Sequence, residues 1–425
     1  MGLQKIPISA VMFGQHGLKK FIREKLPGVE SSFESMKAKA KMKSTSANIA
    51  KSKTANQDRF VIIMAGGRGE RFWPVSREKM PKQLITLLGK TSFLQQAVER
   101  VLPVVPLKNI FVITNAVQAP EVRRQLPKLP KENVVAEPVG LDTCAAVTLG
   151  AALVGARSTT GVMAVLPADH VIPEEKKFQQ VLSDAFDLAS RGRAIVTIGI
   201  KPTEPATGYG YIQVGEPLPP PQGVKPYKTT FFRAERFVEK PQLEKAIEYV
   251  NSGHYRWNAG MFIWSFVTVT EGLQKHQPEM YDACQRWFAA AKNPAKLTKV
   301  LAREYPVIKK VSIDFALMEH AKNVVCADGS FAWDDLGAWP ALARHIKTDA
   351  EGNSVSGDFV HVDAARNIIF DARTKNRTPI AVVGMSDTIL VQTDDAVLLA
   401  HKSQSQKIKE LVKKLGEDPR YKKLV

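Results

Sequence analysis

A continuous apolar run that ends at glycines is the feature that most constrains the fold of this 425-residue chain. The run Phe60-Val-Ile-Ile-Met64 is apolar on both faces, as in parallel-sheet strands that are covered on both sides. Similar runs follow at 110–114, 162–166 and 194–200, with segments of helical length at about 143–156 and 174–191. Strands alternating with such helices predict βαβ units, and therefore an α/β fold with a Rossmann-like, doubly wound sheet.

Composition divides the chain into three regions. Residues 1–57 hold eleven Lys or Arg and three Asp or Glu, and together with many Ser and Ala residues they predict a disordered basic extension. Residues 58–347 carry the alternating pattern and predict the main domain, with helices dominating from 267 onward. Residues 353–425 contain short alternating runs such as Phe359-Val-His-Val362, followed by a basic helix at 407–415, which predict a small β-rich domain.

The net charge of +18 suits either a polyanionic small substrate or a nucleic acid, and a solvated basic surface explains it more simply. We expect no nucleic-acid partner, because no helix-turn-helix, zinc-finger or RNP-type pattern is present. We expect no membrane helix either, since no apolar stretch approaches the roughly 18 residues that one needs. The three widely spaced cysteines, Cys144, Cys284 and Cys326, favour a reducing cytoplasm over a disulfide framework or a zinc site.

The segment that directly follows the first strand, Met64-Ala-Gly-Gly-Arg-Gly-Glu-Arg-Phe-Trp-Pro74, is completed by Pro81-Lys82-Gln83. Its glycines lack a Cβ, so they can bring backbone N–H groups close to phosphates; they are Gly66, Gly67 and Gly69. Arg71 adds a planar guanidinium group that can bind two phosphate oxygens at once, and Lys82 adds a flexible ammonium group. A tight turn without a ligand is the competing interpretation. A dinucleotide fingerprint is excluded, because Phe72 occupies its last glycine position.

Asp169 stands just past the run 162–166, at the carboxyl end of a predicted strand. Open α/β sheets bind ligands at that edge. A carboxylate there is a natural hard-oxygen ligand for a Mg²⁺ ion that bridges phosphates. The competing interpretation is a cap for the helix that begins near Pro173.

Together these segments resemble the sugar-nucleotide pyrophosphorylases, a family of sugar nucleotidyltransferases. The form Phe72-Trp-Pro-Val-Ser-Arg-Glu-Lys-Met-Pro-Lys-Gln83 is most similar to the bacterial branch that joins GTP to mannose 1-phosphate. Further family segments follow in the same order: Glu137-Pro138, Leu166-Pro-Ala-Asp-His170, Phe237-Val-Glu-Lys-Pro241, Trp257-Asn-Ala-Gly-Met-Phe262, Ser312-Ile-Asp-Phe315 and Trp333-Asp-Asp-Leu-Gly-Ala-Trp339. The resemblance covers about residues 59–347, and the C-terminal part is similar to the family's small β-helical domain.

On the nucleotide side, the resemblance implies that Glu137 belongs to the nucleotide-binding residues. It also implies that Asp335 completes the metal site with Asp169, because the family's Trp-x-Asp-x-Gly spacing selects Asp335 over its neighbour Asp334. The chain departs from the family pattern in Gly140-Leu-Asp-Thr-Cys-Ala-Ala146, where Leu and Asp replace residues that are usually polar or amide. That departure leaves the choice of base open.

On the sugar side, the resemblance implies that Glu239 accepts hydrogen bonds from sugar hydroxyls and that Lys240 pairs with the sugar's phosphate. An exposed ion pair between the two is the alternative. Asn258 carries both a donor and an acceptor, which suits a sugar diol. Gly208 and Gly210 would let backbone approach the sugar, unless Gly208-Tyr-Gly210 is a plain hairpin turn.

The implied reaction is an in-line, Mg²⁺-assisted transfer from GTP to mannose 1-phosphate that gives GDP-mannose and pyrophosphate, with Arg71, Lys82 and Asp169 as catalytic residues. A phosphate monoester is already anionic at neutral pH, so no general base is required. Two alternatives stay open: the same reaction with another pair of nucleotide and sugar phosphate, and a noncatalytic regulatory homologue that binds sugar nucleotide. The β-rich region is a candidate surface for a homodimer.

Overall fold

The computed structural model describes residues 58–375 and 378–425, so the extension predicted for residues 1–57 lies outside the described residues. The large sheet consists of nine strands: β1 (Arg59–Met64), β2 (Ile110–Asn115), β3 (Val134–Glu137), β4 (Val162–Pro167), β5 (Ile195–Ile200), β6 (Tyr211–Pro217), β7 (Phe231–Val238), β8 (Tyr255–Ser265) and β9 (Val324–Asp328). Their order across the sheet is β3-β2-β1-β4-β8-β5-β9-β7-β6.

The first four strands form a parallel block with β1 between β2 and β4. In this block Ile62 pairs with Phe111 on one side and with Val165 on the other. The apolar runs predicted as strands are confirmed to within one residue at each end. Because the carboxyl ends of parallel strands share one edge, the segments after β1, β3 and β4 emerge together.

The described helices are α1 (Phe93–Val101), α2 (Ala119–Gln125), α3 (Thr143–Arg157), α4 (Glu175–Arg191), α5 (Leu243–Ser252), α6 (Phe266–His276), α7 (Pro278–Ala290), α8 (Pro294–Glu304), α9 (Trp339–Ala343) and α10 (Ile408–Glu417). They cover both faces of the sheet. Val61 and Ile63 pack in one hydrophobic cluster with residues of α1 and α4, whereas Phe60 and Ile62 pack in another with residues of α3 and α7. The doubly wound α/β fold is thereby confirmed.

Strand β9 departs from the expectation that helices dominate from 267 to 347. It lies parallel to β5, with Cys326 opposite Thr197, and antiparallel to β7. Its five residues are too few for a clear periodicity, and the strand exists because two neighbouring strands offer backbone partners. Pairing with β5 and β7, which are distant in sequence, therefore makes this segment a strand.

The C-terminal region is β-rich, as predicted. Its strands are β10 (Ser354–Ser356), β11 (Phe359–Val362), β12 (Ile368–Asp371), β13 (Ile380–Val383), β14 (Thr388–Gln392) and β15 (Val397–His401). Strands β10, β12 and β14 pair in parallel in one sheet, and β11 and β13 pair in parallel in another. The buried amide of Asn367 donates to Asn353 Oδ1 and to the Met385 carbonyl, which joins successive coils.

A third hydrophobic cluster joins this β-rich region to the segment after β1. Trp339 packs between Phe72 and Phe370, with ring centroids 5.2 Å from each, and its indole N–H donates to the Trp73 carbonyl. The Trp73 indole in turn donates to the Leu424 carbonyl at 2.8 Å. Across the described residues, no helix combines the length and apolar character that crossing a bilayer requires.

Candidate active site

The glycine segment after β1 is held by the second half of its own motif. Gly69 has a φ of +60°, and a Cβ there would lie 2.6 Å from the Cβ of Lys82, so a larger residue would be strained and would clash. The side-chain amide of Gln83 donates to the carbonyls of Ala65 and Gly67 at 2.9 and 2.8 Å. These two hydrogen bonds tie the start of the glycine segment to the second half of the motif.

Lys82 is the central charge of the site. Only 4% of its side chain is exposed, and its ammonium lies 2.9 Å from Asp169 Oδ2. The same ammonium donates to the backbone carbonyl of Asp335. A buried charge needs such partners, so Lys82 ties together the motif, the end of β4 and the segment before α9.

The charge of Lys82 acts on both predicted metal-ligand carboxylates, although its ammonium contacts the carboxylate of Asp169 and the backbone carbonyl of Asp335. Burial alone would raise the pKa of Asp169, but the charges of Lys82 and His170 hold it below the usual range. Burial raises the pKa of Asp335, and the charges of Asp334 and Asp169 add to that effect, although Lys82 opposes it. Two carboxylates crowded in this way form an environment that a cation would stabilise.

Asp334 is engaged elsewhere, although it is the immediate neighbour of Asp335. Its carboxylate accepts hydrogen bonds from the Leu336 backbone N–H and from the side chains of Arg344 and His345, at 2.8 to 3.0 Å. These bonds fix the turn that presents Asp335. The Asp334 carboxylate is thus engaged within the protein, whereas Asp335 lines a cavity.

Residues 68–72 of the motif and the two carboxylates line one cavity of about 620 Å³, whereas Gly66 and Gly67 are not among its lining residues. Its lining includes Gly69, Arg71, Lys82, Asp169, Asp335 and Lys409. The Arg71 guanidinium is exposed and lies 3.5 Å from the Gly337 carbonyl. Lys409 belongs to α10, so the C-terminal region supplies part of the wall. Lys409 was not predicted from the sequence, because nothing local distinguishes it from the other lysines of that helix.

Glu137 lies beneath the glycine segment, at the end of β3. The side chain is buried, and the Tyr305 hydroxyl donates a hydrogen bond to it. A Cβ at Gly66 would stand 2.9 Å from Glu137 Oε2, so the carboxyl supports the loop closely. Burial raises the pKa of Glu137 to about 7, although the Tyr305 hydrogen bond opposes the rise.

The predicted sugar-side residues form a second cluster. Gly210 accepts a backbone hydrogen bond from Asn258 at 2.8 Å, and a Cβ at Gly210 would lie 2.7 Å from Glu239 Oε2. Glu239 and Lys240 are exposed and paired with each other, as in the alternative interpretation. The Asn258 amide donates to Asp314 Oδ1 at 2.8 Å. Gly208, also predicted on this side, is exposed.

Tyr209 connects the two clusters. It was not among the site residues predicted from the sequence. Its hydroxyl donates to Asp335 Oδ1 at 3.1 Å, and its ring packs edge-on against Trp257 and Trp333. The tyrosine stands between two glycines that had been identified for their backbone alone. It lies in the connection between β5 and β6, which are not neighbours in the sheet, and only the tertiary fold brings its hydroxyl to the carboxylate.

The departure from the family pattern has a structural role. Leu141 is 8% exposed and packs in the hydrophobic cluster of α3. Asp142 has a φ of +72°, and its carboxylate accepts a hydrogen bond from the Thr143 N–H as the cap of α3. Both replacements therefore serve the start of this helix.

Two family models match the chain. The model described as nucleotidyl transferase matches residues 60–352. The model described as MannoseP isomerase/GMP-like beta-helix domain matches residues 357–415.

Several proteins are similar over most of the chain. Mannose-1-phosphate guanylyltransferase of Escherichia coli is 35% identical over 85% of this chain and 74% of its own length. Xanthan biosynthesis protein XanB of Xanthomonas campestris is 36% identical over 83% of this chain and 72% of its own length. A crystal structure from Thermus thermophilus, described as mannose-1-phosphate geranyltransferase, is 32% identical, with a TM-score of 0.72 over 84% of this chain and 99% of that one.

We predict that Glu137→Gln flattens the pH dependence of folding stability. Because the pKa of this carboxyl is about 7 in the folded chain against 4.5 in the unfolded one, stability falls as the pH rises between those values. The variant should gain at most about 3 kcal/mol over the wild type at pH 8 and little at pH 4. Urea unfolding at the two pH values measures this. Glu132→Gln, at an exposed carboxyl, is the control, and equal pH slopes for wild type and Glu137→Gln would contradict the prediction.

Proposed function

Because the chain belongs to the nucleotidyl transferase family, we propose that it transfers a guanylyl group from GTP to mannose 1-phosphate, giving GDP-mannose and pyrophosphate. The observation that carries the proposal is the one cavity that Arg71, Lys82, Asp169 and Asp335 line together. Relatives of about 35% identity that carry the name mannose-1-phosphate guanylyltransferase support this choice of substrates.

The chemical problem in such a reaction is repulsion between two phosphorylated molecules. The sugar phosphate is a competent nucleophile without a base, since it is anionic at neutral pH. Arg71 and Lys82 would neutralise the triphosphate, and backbone N–H groups at Gly66, Gly67 and Gly69 would approach its oxygens. The protein's contribution is therefore positioning and fixed positive charge.

Members of this family use a divalent cation, and we assign it as Mg²⁺ held by Asp169 and Asp335. The donor set fits, because two carboxylates with waters and phosphate oxygens suit this ion better than an all-protein cage. The bound ion would neutralise phosphate charge where the α-phosphorus is attacked. The Tyr209 hydroxyl would orient the Asp335 carboxylate, and Lys82 would orient that of Asp169.

On the sugar side, the roles follow from the second cluster. Glu239 would accept hydrogen bonds from sugar hydroxyls beside the backbone of Gly210. Lys240, which is exposed, would leave Glu239 and pair with the sugar's phosphate. Asn258, held by Asp314, would present its remaining hydrogen-bonding capacity to the sugar. Glu137 would act on the nucleotide side by supporting the loop at Gly66.

A steady-state assay tests the proposal directly. Pyrophosphate release is measured with GTP, ATP, UTP and dTTP, each paired with mannose 1-phosphate and with glucose 1-phosphate. We expect the pair of GTP and mannose 1-phosphate to have the highest kcat/KM. A preference for another pair would reassign the substrates, whereas tight GDP-mannose binding without turnover would favour the regulatory alternative.

We predict opposite outcomes for the two adjacent carboxylates. Asp335→Asn should lower kcat by about 10²–10³, as removal of a pre-placed charge commonly does. It should keep or gain folding stability, because burial already disfavours the charged form of Asp335. Asp334→Asn should instead lose roughly 1–3 kcal/mol of stability, because Arg344 and His345 lose their charged partner.

Kinetics and thermal unfolding of the two variants check this prediction. Arg71→Ala and Asp169→Asn should lose activity to the same degree as Asp335→Asn, with Arg124→Ala, at an exposed surface pair, as the control. Near-normal turnover in all three cavity variants would refute the assignment of the site.

We predict that Lys409→Ala raises the KM for GTP by about two- to fivefold, as expected for loss of a partly solvated charge contact. The effect should fall on KM rather than kcat, because Lys409 enters the cavity from α10, whereas the carboxylates assigned to the metal ion come from other segments. Lys414→Ala, on the same helix but outside the cavity lining, is the matched control. Equal KM values for the two variants would contradict the prediction.

A further inference from the structure

The described residues enclose a second, larger cavity of about 730 Å³ at the opposite end of the site's parallel block. It lies beside β3, the edge strand of the large sheet, and between α3 and α8. None of its lining residues lines the cavity of Lys82 and Asp169. The proposed reaction leaves this cavity without a role.

The rim of this cavity is strongly basic. It includes four cations, Arg123, Lys131, Arg157 and Lys292, against one acid, Glu132. Arg123 and Arg157 are held by backbone carbonyls, at Val134 and Lys108. In the described part of the chain, the ammonium groups of Lys131 and Lys292 form no ion pair or hydrogen bond, so both are available to an anion.

The wall is apolar. Phe111, Val135, Leu153, Leu297 and Leu301 face the cavity from β2, β3, α3 and α8. The Arg157 guanidinium lies over the Phe111 ring, 4.4 Å from its centroid. A site with unpaired cations at its rim and an apolar wall fits a small molecule that joins a phosphate to an aromatic or aliphatic body.

The two elements that border the cavity, β3 and α8, continue into Glu137 and Tyr305, the hydrogen-bonded pair beneath the glycine segment. Strand β3 ends in Glu137, which stands against Gly66. Helix α8 ends at Glu304, and the next residue, Tyr305, donates its hydroxyl to Glu137. A ligand that moved β3 and α8 relative to each other would therefore change the buried hydrogen bond beneath the loop.

We propose that this cavity is a regulatory site for a phosphorylated small molecule with an aromatic or aliphatic body, and that its occupancy changes nucleotide affinity through β3, α8 and the Glu137–Tyr305 pair. The inference rests on the proposed function in one respect: it takes the glycine loop to bind GTP. Binding at the cavity itself is independent of which sugar is the substrate.

The probe is 1-naphthyl phosphate, titrated calorimetrically into the full chain with and without saturating GTP and without sugar phosphate. We expect a saturable site that persists when GTP fills the first cavity. The double variant Lys131→Glu, Lys292→Glu should bind the probe at least about tenfold more weakly, since it reverses the two available charges. Lys296→Glu, Lys299→Glu is the matched control, because these exposed lysines of α8 lie outside the cavity lining and produce the same change in net charge.

Coupling is measured as the dissociation constant of GTP with and without the probe. We expect a change of about fivefold or more, in the range usual for allosteric coupling. Glu137→Gln with Tyr305→Phe should reduce that change while leaving probe binding intact.

Absence of a probe site in the wild type, or equal binding by the two double variants, would overturn the site. Probe binding without any change in GTP affinity would overturn its regulatory role. Failure of turnover with GTP and mannose 1-phosphate would instead count against the proposed function and would leave the probe measurements standing.

Discussion

A buried ammonium group organises this protein. Lys82 is almost fully enclosed, and a charge in that position is tolerated only while its partners remain in place. Those partners are the carboxylate of Asp169, at the end of a central strand, and the backbone of Asp335, far along the chain from both. The requirement to satisfy this one cation thus brings together the motif that carries Lys82, the carboxylate of Asp169 and the backbone of Asp335.

The parallel block of the sheet explains why this arrangement can exist. Strands β1, β3 and β4 end at the same edge, where they deliver the glycine loop, Glu137 and Asp169. Each of these groups lies at or just after the end of its strand, so none depends on a long flexible loop for its position. The sheet therefore sets the spacing between the glycine loop, Glu137 and Asp169, and the short segments after the strands orient them.

The C-terminal β-rich region belongs to the site as well as to the fold. Its hydrophobic cluster includes Phe72, Trp73 and Trp339, which flank the cationic residues of the motif. Its last helix places Lys409 in the wall of the cavity. Loss of packing in this region should therefore disturb the cavity that Lys82 and Asp169 line, although both of those residues belong to the main domain.

The sequence by itself determined the α/β class and the parallel core strands, because apolar runs are local properties of the chain. Glycine spacing and strand ends, which are also local, predicted Arg71, Lys82 and Asp169 as site residues, and the three line one cavity. The prediction of Asp335 rather than Asp334 came from the motif spacing of the family that the chain resembles. Only the tertiary structure decided that β9 is a strand, that Tyr209 donates to Asp335, that Tyr305 lies beneath Glu137 and that Lys409 reaches the cavity. Each of these depends on a partner distant along the chain, and a hydrogen bond or a strand pairing of that kind leaves no periodicity or composition signal around either residue.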